Sequence, residues 1–495
     1  MALSAPHAGP TFLAIDLGAS SGRGVMGTLD DGRMHMHEVH RFRTPMLERD
    51  GHLHWDIAAL WHEVQLCLQR AMVLAPALRS VSVDSWGVDY VSLDAHGEPL
   101  GDPYCYRDTR TAGRLADVLR EMPAEALYAL TGTQFLPFNT LLQIAADLHD
   151  DPVGAGRVAT RLLIADYLLY RLSGVMAIER TMASTTQLFD MTAMEWSTPL
   201  IAAIGDERSR YPQTVAPGTN LAPVLRCWLD QRPEGAGVPS VIATCSHDTA
   251  AAVAAVPVTG DEPWVYICSG TWSLVGAELV APVLTERARL AGFTNEIGID
   301  GTIRFLKNRT GLWVLEECVR EWASQGELPG WDLLLAEATA ADAGRVCLDL
   351  DEPTLAERGD MVAKLTAACA RANIPSPVSR GALVRLVLES LAHGYAAVLD
   401  ELESLSGERA AVVHVVGGGA RNTLLNQLTA DACGRRLVAG PDEATVLGNL
   451  LLQARTAGVL QADVSLRDVA RRSTRVTEFT PRRAPSDRTA ALAVR

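Results

Sequence analysis

Near the midpoint of the chain, Ser246-His247-Asp248-Thr249 sets a hydroxyl, an imidazole and a carboxylate side by side between two apolar stretches. The stretch before it, 238–245, reads as a buried strand. The stretch after it, 250–256, holds only Ala and Val and reads as a helix packed closely against a neighbour. A carboxylate at such a junction stands on a rigid, partly dry base, which suits a general base. Capping of the helix by Ser246 or Asp248 is the competing use of the same residues.

Three small-residue turns follow strand-like runs: 18–22, 269–273 and 417–420. Each offers backbone N–H groups with little side-chain bulk, the surface that cradles phosphate oxygens. The chain has no G-K-[ST], so a phosphate site here uses amides, hydroxyls and a metal rather than a loop lysine. Asp16, at the tip of the first strand-like run, suits a hydrated Mg²⁺ beside phosphates, or else starts a turn. Gly22, Gly24 and Gly27 spell G-x-G-x-x-G, but the segment runs on to a hairpin turn rather than opening a helix, which argues against a dinucleotide fold. Trp86-Gly87 and Arg107-Asp108 supply an aromatic face, bare backbone and charge, the groups that recognise polyols. Core packing and a solvated turn are their plainer uses.

The elements that must position these residues alternate strand and helix. Residues 12–16, 23–29 and 34–42 read as a β-meander, 56–75 as an amphipathic helix, 80–84 as a strand, and 112–210 as mostly helical. In the second half, 264–268 and 410–416 read as strands, and 380–405 and the stretch from Thr423 as helices. Ile15-Asp16-Leu17-Gly18-Ala19-Ser20-Ser21 aligns without gaps on Ile267-Cys268-Ser269-Gly270-Thr271-Trp272-Ser273. Strand, small turn and strand thus recur at the head of each half, as a duplication would leave them.

A chain of 495 residues is too long for one core, so two large domains are expected. The net charge of −15 argues against nucleic acid and anionic membranes as partners. Lys307 and Lys364 are the only lysines. Nine scattered cysteines without a C-x-x-C pair suggest reduced thiols and a cytoplasmic setting. The first eleven residues carry no basic, apolar signal pattern, and no uninterrupted apolar run reaches bilayer length.

Several of these stretches together resemble the FGGY carbohydrate kinases. They are Asp16-Leu17-Gly18-Ala19-Ser20-Ser21-Gly22-Arg23, Asp84-Ser85-Trp86-Gly87-Val88-Asp89, Tyr106-Arg107-Asp108-Thr109-Arg110 and Gln134-Phe135-Leu136-Pro137-Phe138-Asn139-Thr140. Ser246-His247-Asp248-Thr249, Ser269-Gly270-Thr271-Trp272-Ser273, Leu306-Lys307-Asn308, Gly311-Leu312-Trp313 and Gly417-Gly418-Gly419 complete the set. The likeness covers roughly 12–460 and is strongest to the branch that acts on L-rhamnulose. It implies an α/β fold of two actin-like (ribonuclease H-like) ATPase domains facing across a cleft. By that resemblance 12–256 binds sugar and carries the base, 257–460 binds nucleotide, 1–11 is an extension and 461–495 a terminal segment. Asp248 is then the catalytic base, and Gly87, His247, Thr249 and Asn308 join it in contacting the sugar. Ala19, Ser20, Ser21, Gly22, Arg23, Thr271 and Gly418 hold ATP. Glu316 stands where that branch carries a nucleotide-contacting Gln, a place an acid suits only at the adenosine end. The implied reaction moves the γ-phosphoryl group of ATP, with Mg²⁺, to O1 of a ketose. Another ketose of the L-fuculose or pentulose type, and a non-catalytic ATP or sugar sensor, are the alternatives.

Overall fold

The computed structural model describes residues 9–229, 237–327, 329–342 and 347–482. Most of the expected N-terminal extension (1–8) and the end of the terminal segment (483–495) lie outside the described residues. The chain forms two compact units, each assembled from separate segments. The first comprises Met1–Ala255, Glu278–Phe305 and Ala444–Ser473, and the second Val256–Ala277, Leu306–Glu443 and Thr474–Arg495.

In the first unit a six-stranded sheet runs in the order Thr219–Pro223, Ser240–Ala243, Ser80–Ser85, Thr11–Leu17, Ser21–Asp30, Arg33–Arg43. Thr11–Leu17 is antiparallel to Ser21–Asp30 and parallel to Ser80–Ser85, which in turn is parallel to Ser240–Ala243. The three parallel strands are buried on both faces because helices cover them. The glycines of the G-x-G-x-x-G string lie inside the Ser21–Asp30 strand, so they open no helix. Gly24 and Gly27 let Cys67 and Leu450 approach the strand more closely than a Cβ would allow.

Helix Ile57–Leu74 is capped by Asp56, whose carboxylate accepts from the Ala59 N–H, and it buries Leu60, Trp61, Val64 and Leu68 as their spacing predicts. The Ala/Val stretch forms helix Asp248–Ala254. Its close neighbour is helix Ala444–Thr456: a Cβ on Gly448 would meet the Ala251 carbonyl oxygen at 1.9 Å. Residues 112–210 mix short helices with short strands such as Thr160–Leu163, so the helical reading of that region was too uniform.

The second unit repeats the pairing. Trp264–Ser269 is antiparallel to Trp272–Leu279 and parallel to Val412–Val416, which is parallel to Arg436–Ala439. The two openings agree up to the strand end and then differ by one residue in the turn, since Leu17 pairs with Gly22 but Ser269 with Ser273. Helix Arg380–Ser406 is long and apolar enough, by length and composition alone, to cross a bilayer. Here 72% of its most apolar window is buried in the protein.

Candidate active site

The parallel strands of the first unit end together and bring three carboxylates into one region. Asp16 and Asp84 are register partners on neighbouring strands. The next strand ends in Ser246-His247-Asp248, tied to the second by the Ser85 N–H donating to the Ser246 carbonyl at 2.9 Å. Carboxyl ends of strands are where open α/β sheets hold ligands.

Asp248 is the first residue of its helix, and His247 occupies the cap position without a side-chain cap bond. Ser246 caps nothing either: its buried hydroxyl has no hydrogen-bond partner. Capping by Ser246 is therefore excluded, whereas Asp248 does satisfy one N–H of the first turn. Asp248 accepts from the Thr249 N–H at 2.6 Å, and its side chain is a quarter exposed. Burial, against the opposing pull of His247 and with the Asp16 charge adding to it, pushes its pKa up to about 6. Such a carboxylate is ionised at neutral pH and basic enough to take a proton.

Two buried networks hold this loop. On the backbone side Glu179 accepts from the Ser246 N–H at 2.9 Å, and the Thr181 hydroxyl, itself bonded to Glu179, accepts from the His247 N–H at 3.1 Å. Burial raises the Glu179 pKa to about 7, despite the hydrogen bonds it accepts. On the side-chain side Arg304, fully buried, donates to Thr249 Oγ1 (2.9 Å), His247 Nδ1 (3.1 Å), Glu296 Oε2 (2.7 Å) and the Ile297 carbonyl (3.2 Å). Burial pushes the Glu296 carboxyl up, and Arg304 and His247 more than reverse this, to about 2.

Asp16 accepts both Nε and Nη2 of Arg23, at 3.0 and 2.9 Å. Asp84 is fully buried. One oxygen accepts from Asn449 at 2.5 Å and the other has no hydrogen-bond partner. Burial first, then the Asp16 charge, raises its pKa well above the carboxylate range. Among the described residues no group of three or more His, Cys, Asp or Glu could by itself hold a metal ion.

The Trp86-Gly87-Val88-Asp89 turn stands beside this region in the chain of strand ends. Asp89 accepts both indole N–H groups, Trp55 at 2.7 Å and Trp86 at 2.9 Å, plus the amide of Gln143 at 2.8 Å. The two indoles lie 4.4 Å apart. Val88 has φ +68°, a strained conformation for a β-branched residue. It is held by the Thr185 hydroxyl at its N–H and the Thr140 hydroxyl at its carbonyl. Gly87 is required by Thr185, whose Oγ1 would lie 2.8 Å from a Cβ. Asp108 serves structure: it accepts from the N–H groups of Leu53 and Arg110 and lies 3.0 Å from His52 Nδ1.

The residues named for ATP divide between the units. Ala19 and Ser20 lie in the first turn of the first unit and Ser21, Gly22 and Arg23 open the strand after it, whereas Thr271, Glu316 and Gly418 belong to the second. Asn308 also lies in the second unit, on strand Ile303–Thr310. There Thr271 donates to both carboxylate oxygens of Glu316 at 3.2 Å, and Gly311 N–H donates to the Thr271 carbonyl at 3.1 Å. Strand register sets Gly417 next to Ser269: Cys268 pairs with Val416. A Cβ on Gly419 would meet Ser269 Oγ at 2.0 Å, while one on Gly418 would meet nothing within 4 Å. Gly419 therefore packs, and Gly418 presents open backbone.

Glu179, Glu296, Arg304 and Asp84 were not singled out from the sequence. Each is a charge within a short strand, where a buried charge needs a partner.

Residues 11–255 match the N-terminal domain of the FGGY family of carbohydrate kinases, and residues 265–457 its C-terminal domain. A rhamnulokinase of Bacteroides thetaiotaomicron is 37% identical over 472 residues, which is 95% of this chain and 96% of that one. Among solved structures, a xylulose kinase of Lactobacillus acidophilus superposes with a TM-score of 0.79 at 16% identity, covering 95% of this chain and 94% of that one. A glycerol kinase of Plasmodium falciparum with ADP gives 0.76 at 16% identity, covering 97% and 95%. The architecture is thus the mixed α/β, actin-like (ribonuclease H-like) fold of these kinases.

Proposed function

Because the chain belongs to the FGGY family of carbohydrate kinases and is a sugar kinase, we propose that it transfers the γ-phosphoryl group of ATP to O1 of L-rhamnulose, giving L-rhamnulose 1-phosphate. The end-to-end similarity to a rhamnulokinase supports the choice of sugar. The observation that carries the chemistry is Asp248, a rigidly held, quarter-exposed carboxylate with its pKa raised to about 6.

Asp248 accepts the proton of the O1 hydroxyl as that oxygen attacks the γ-phosphorus. Such help is worth about 10²–10⁴-fold in rate. Gly87, His247, Thr249 and Asn308 orient the sugar, and the indole face of Trp86 excludes water beside it. Ala19–Arg23, Thr271 and Gly418 contact the nucleotide, with Glu316 reserved for its adenosine end.

Mg²⁺ fits the strand-end carboxylates. Asp84 has a buried oxygen without a partner and a charge opposed by Asp16, the condition a cation relieves. With no closed protein cage among the described residues, the ion would be held by Asp16, waters and phosphate oxygens, as is usual for Mg²⁺. When bound it neutralises charge on the transferred phosphoryl group. The use of ATP and the absence of disulfides among the nine cysteines suit a cytoplasmic enzyme.

A coupled ADP-release assay across ketoses and polyols tests this reading. L-Rhamnulose should exceed L-fuculose and the pentuloses by tenfold or more in kcat/KM, about 1.4 kcal/mol. ATP turnover without any sugar should be slow. Equal turnover with and without sugar would replace the kinase by a switch, and a better ketose would replace the named substrate.

A further inference from the structure

We propose that Arg304 and Glu296 are positioning residues that hold His247 in the form carrying a proton on Nε2, so that this N–H faces the reacting carboxylate and the sugar. The inference rests on the reading of Asp248 as the base.

A guanidinium can only donate. Arg304 Nη2 lies 3.1 Å from His247 Nδ1, so in the neutral ring that accepts this N–H, Nδ1 presents its lone pair and the proton falls on Nε2. Nε2 in turn lies 3.5 Å from Asp248 Oδ1 and 3.2 Å from Thr249 Oγ1. Glu296 Oε2 anchors the guanidinium at 2.7 Å and stands 3.2 Å from Nδ1. If the ring gains a second proton, Glu296 receives that N–H, and Nε2 keeps its hydrogen. The neutral form with its proton on Nδ1 would instead aim an N–H at Arg304.

Arg304 Nη1 also donates to Thr249 Oγ1 at 2.9 Å, so one guanidinium orients the side chains on both sides of Asp248. All three members are buried: Arg304 is 0% exposed, Glu296 6% and His247 7%. A satisfied network of charged groups away from water has one arrangement and resists rotation. Arg304 and Glu296 come from the hairpin of strands Thr294–Ile297 and Ile303–Thr310, far from the base in sequence and joined to it within the first unit. They act through His247 and Thr249.

The test has two arms on the full chain. In the ¹⁵N-histidine-labelled protein, with the His247 signal assigned by its loss in His247→Gln, long-range ¹H–¹⁵N correlations should show a protonated Nε2. Arg304→Gln should turn that signal into a mixture of forms. In kinetics, Arg304→Gln should lower kcat by roughly 30-fold or more while the KM for ATP moves less than about twofold, and Arg304→Lys should recover part of the loss. A merely structural role would lower thermal stability without this split. A neutral His247 protonated on Nδ1 in the unmodified protein overturns the proposal. So does a folded Arg304→Gln protein with ketose kcat/KM within about threefold of the parent. Should Arg304→Gln fail to fold, the spectrum of the unmodified protein still decides. Normal turnover of Asp248→Asn would remove the base assignment but leave the ring measurement standing, so the two failures are told apart.

Discussion

The loop proposed to carry the base in the first unit and the glycine turns proposed to cradle phosphate in the second solve opposite problems. Asp248 must hold a charge at one place, and the loop around it is fixed by buried charged side chains: Glu179 on its backbone, Arg304 and Glu296 on its neighbours. The turns at Gly270 and Gly418 must leave room, and they are held by backbone hydrogen bonds and strand register, with side chains removed. A proton acceptor depends on local field, so it needs fixed dipoles and charges in a dry setting. A phosphate cradle depends on access to amides, so it needs little more than the right backbone path. Damage to the first site should therefore show in electrostatics, and damage to the second in sterics.

The largest expected break is at Asp248, the proposed base. Asp248→Asn keeps size and hydrogen bonding but removes the basic oxygen, and turnover in an ADP-release assay should fall by about 10² or more with the fold intact. Near-normal turnover would end the contrast, because the charged loop would then hold nothing that reacts.

Next in size is the pH dependence written into Glu179. Its folded-state pKa is raised from the ordinary 4.5 to about 7 by burial. The folded protein therefore binds more protons than the unfolded chain between those values, and stability falls as pH rises through that window. Glu179→Gln cannot ionise and lacks that term. Measured by denaturant unfolding, the parent should lose about 3 kcal/mol relative to Glu179→Gln between pH 4.5 and 7, then run parallel above it. A flat difference would mean that the carboxyl is not desolvated in the folded state.

The smallest effects separate two adjacent glycines. Gly419→Ala must displace Ser269 and should cost about 1–3 kcal/mol. Gly418→Ala meets open space and should stay within about 0.5 kcal/mol of the parent. Gly418→Val should raise the KM for ATP with melting temperature unchanged. Wild-type nucleotide affinity in Gly418→Val would make that turn structural only.

Local patterning made much of this legible. The meander, the amphipathic helix at Ile57–Leu74 and the strand-to-helix junction at Asp248 follow from hydrophobic period and turn residues, which depend on near neighbours. Val88 was not legible: nothing in Trp86-Gly87-Val88-Asp89 announces a β-branched residue at positive φ, because the hydroxyls of Thr140 and Thr185 that impose it are remote in sequence. The separate segments that build each unit were equally hidden, since helix Ala444–Thr456 joins the first unit by contacts with residues remote in sequence, among them Gly27, Ser80, Asp84 and Ala251.

By itself the sequence determined which residue types could do chemistry, where strands end in small residues, and that a carboxylate sits between a buried strand and an Ala-rich helix. These are properties of short windows and of side-chain chemistry. Only the tertiary structure decided what surrounds that carboxylate. It brought Arg304 and Glu296 to His247, Glu179 to the Ser246 amide, and Asp84 beside Asp16. The pKa of Asp248 and the orientation of its histidine neighbour follow from those encounters. Desolvation and Coulomb interactions are set by distance in space, and no spacing along the chain encodes that distance.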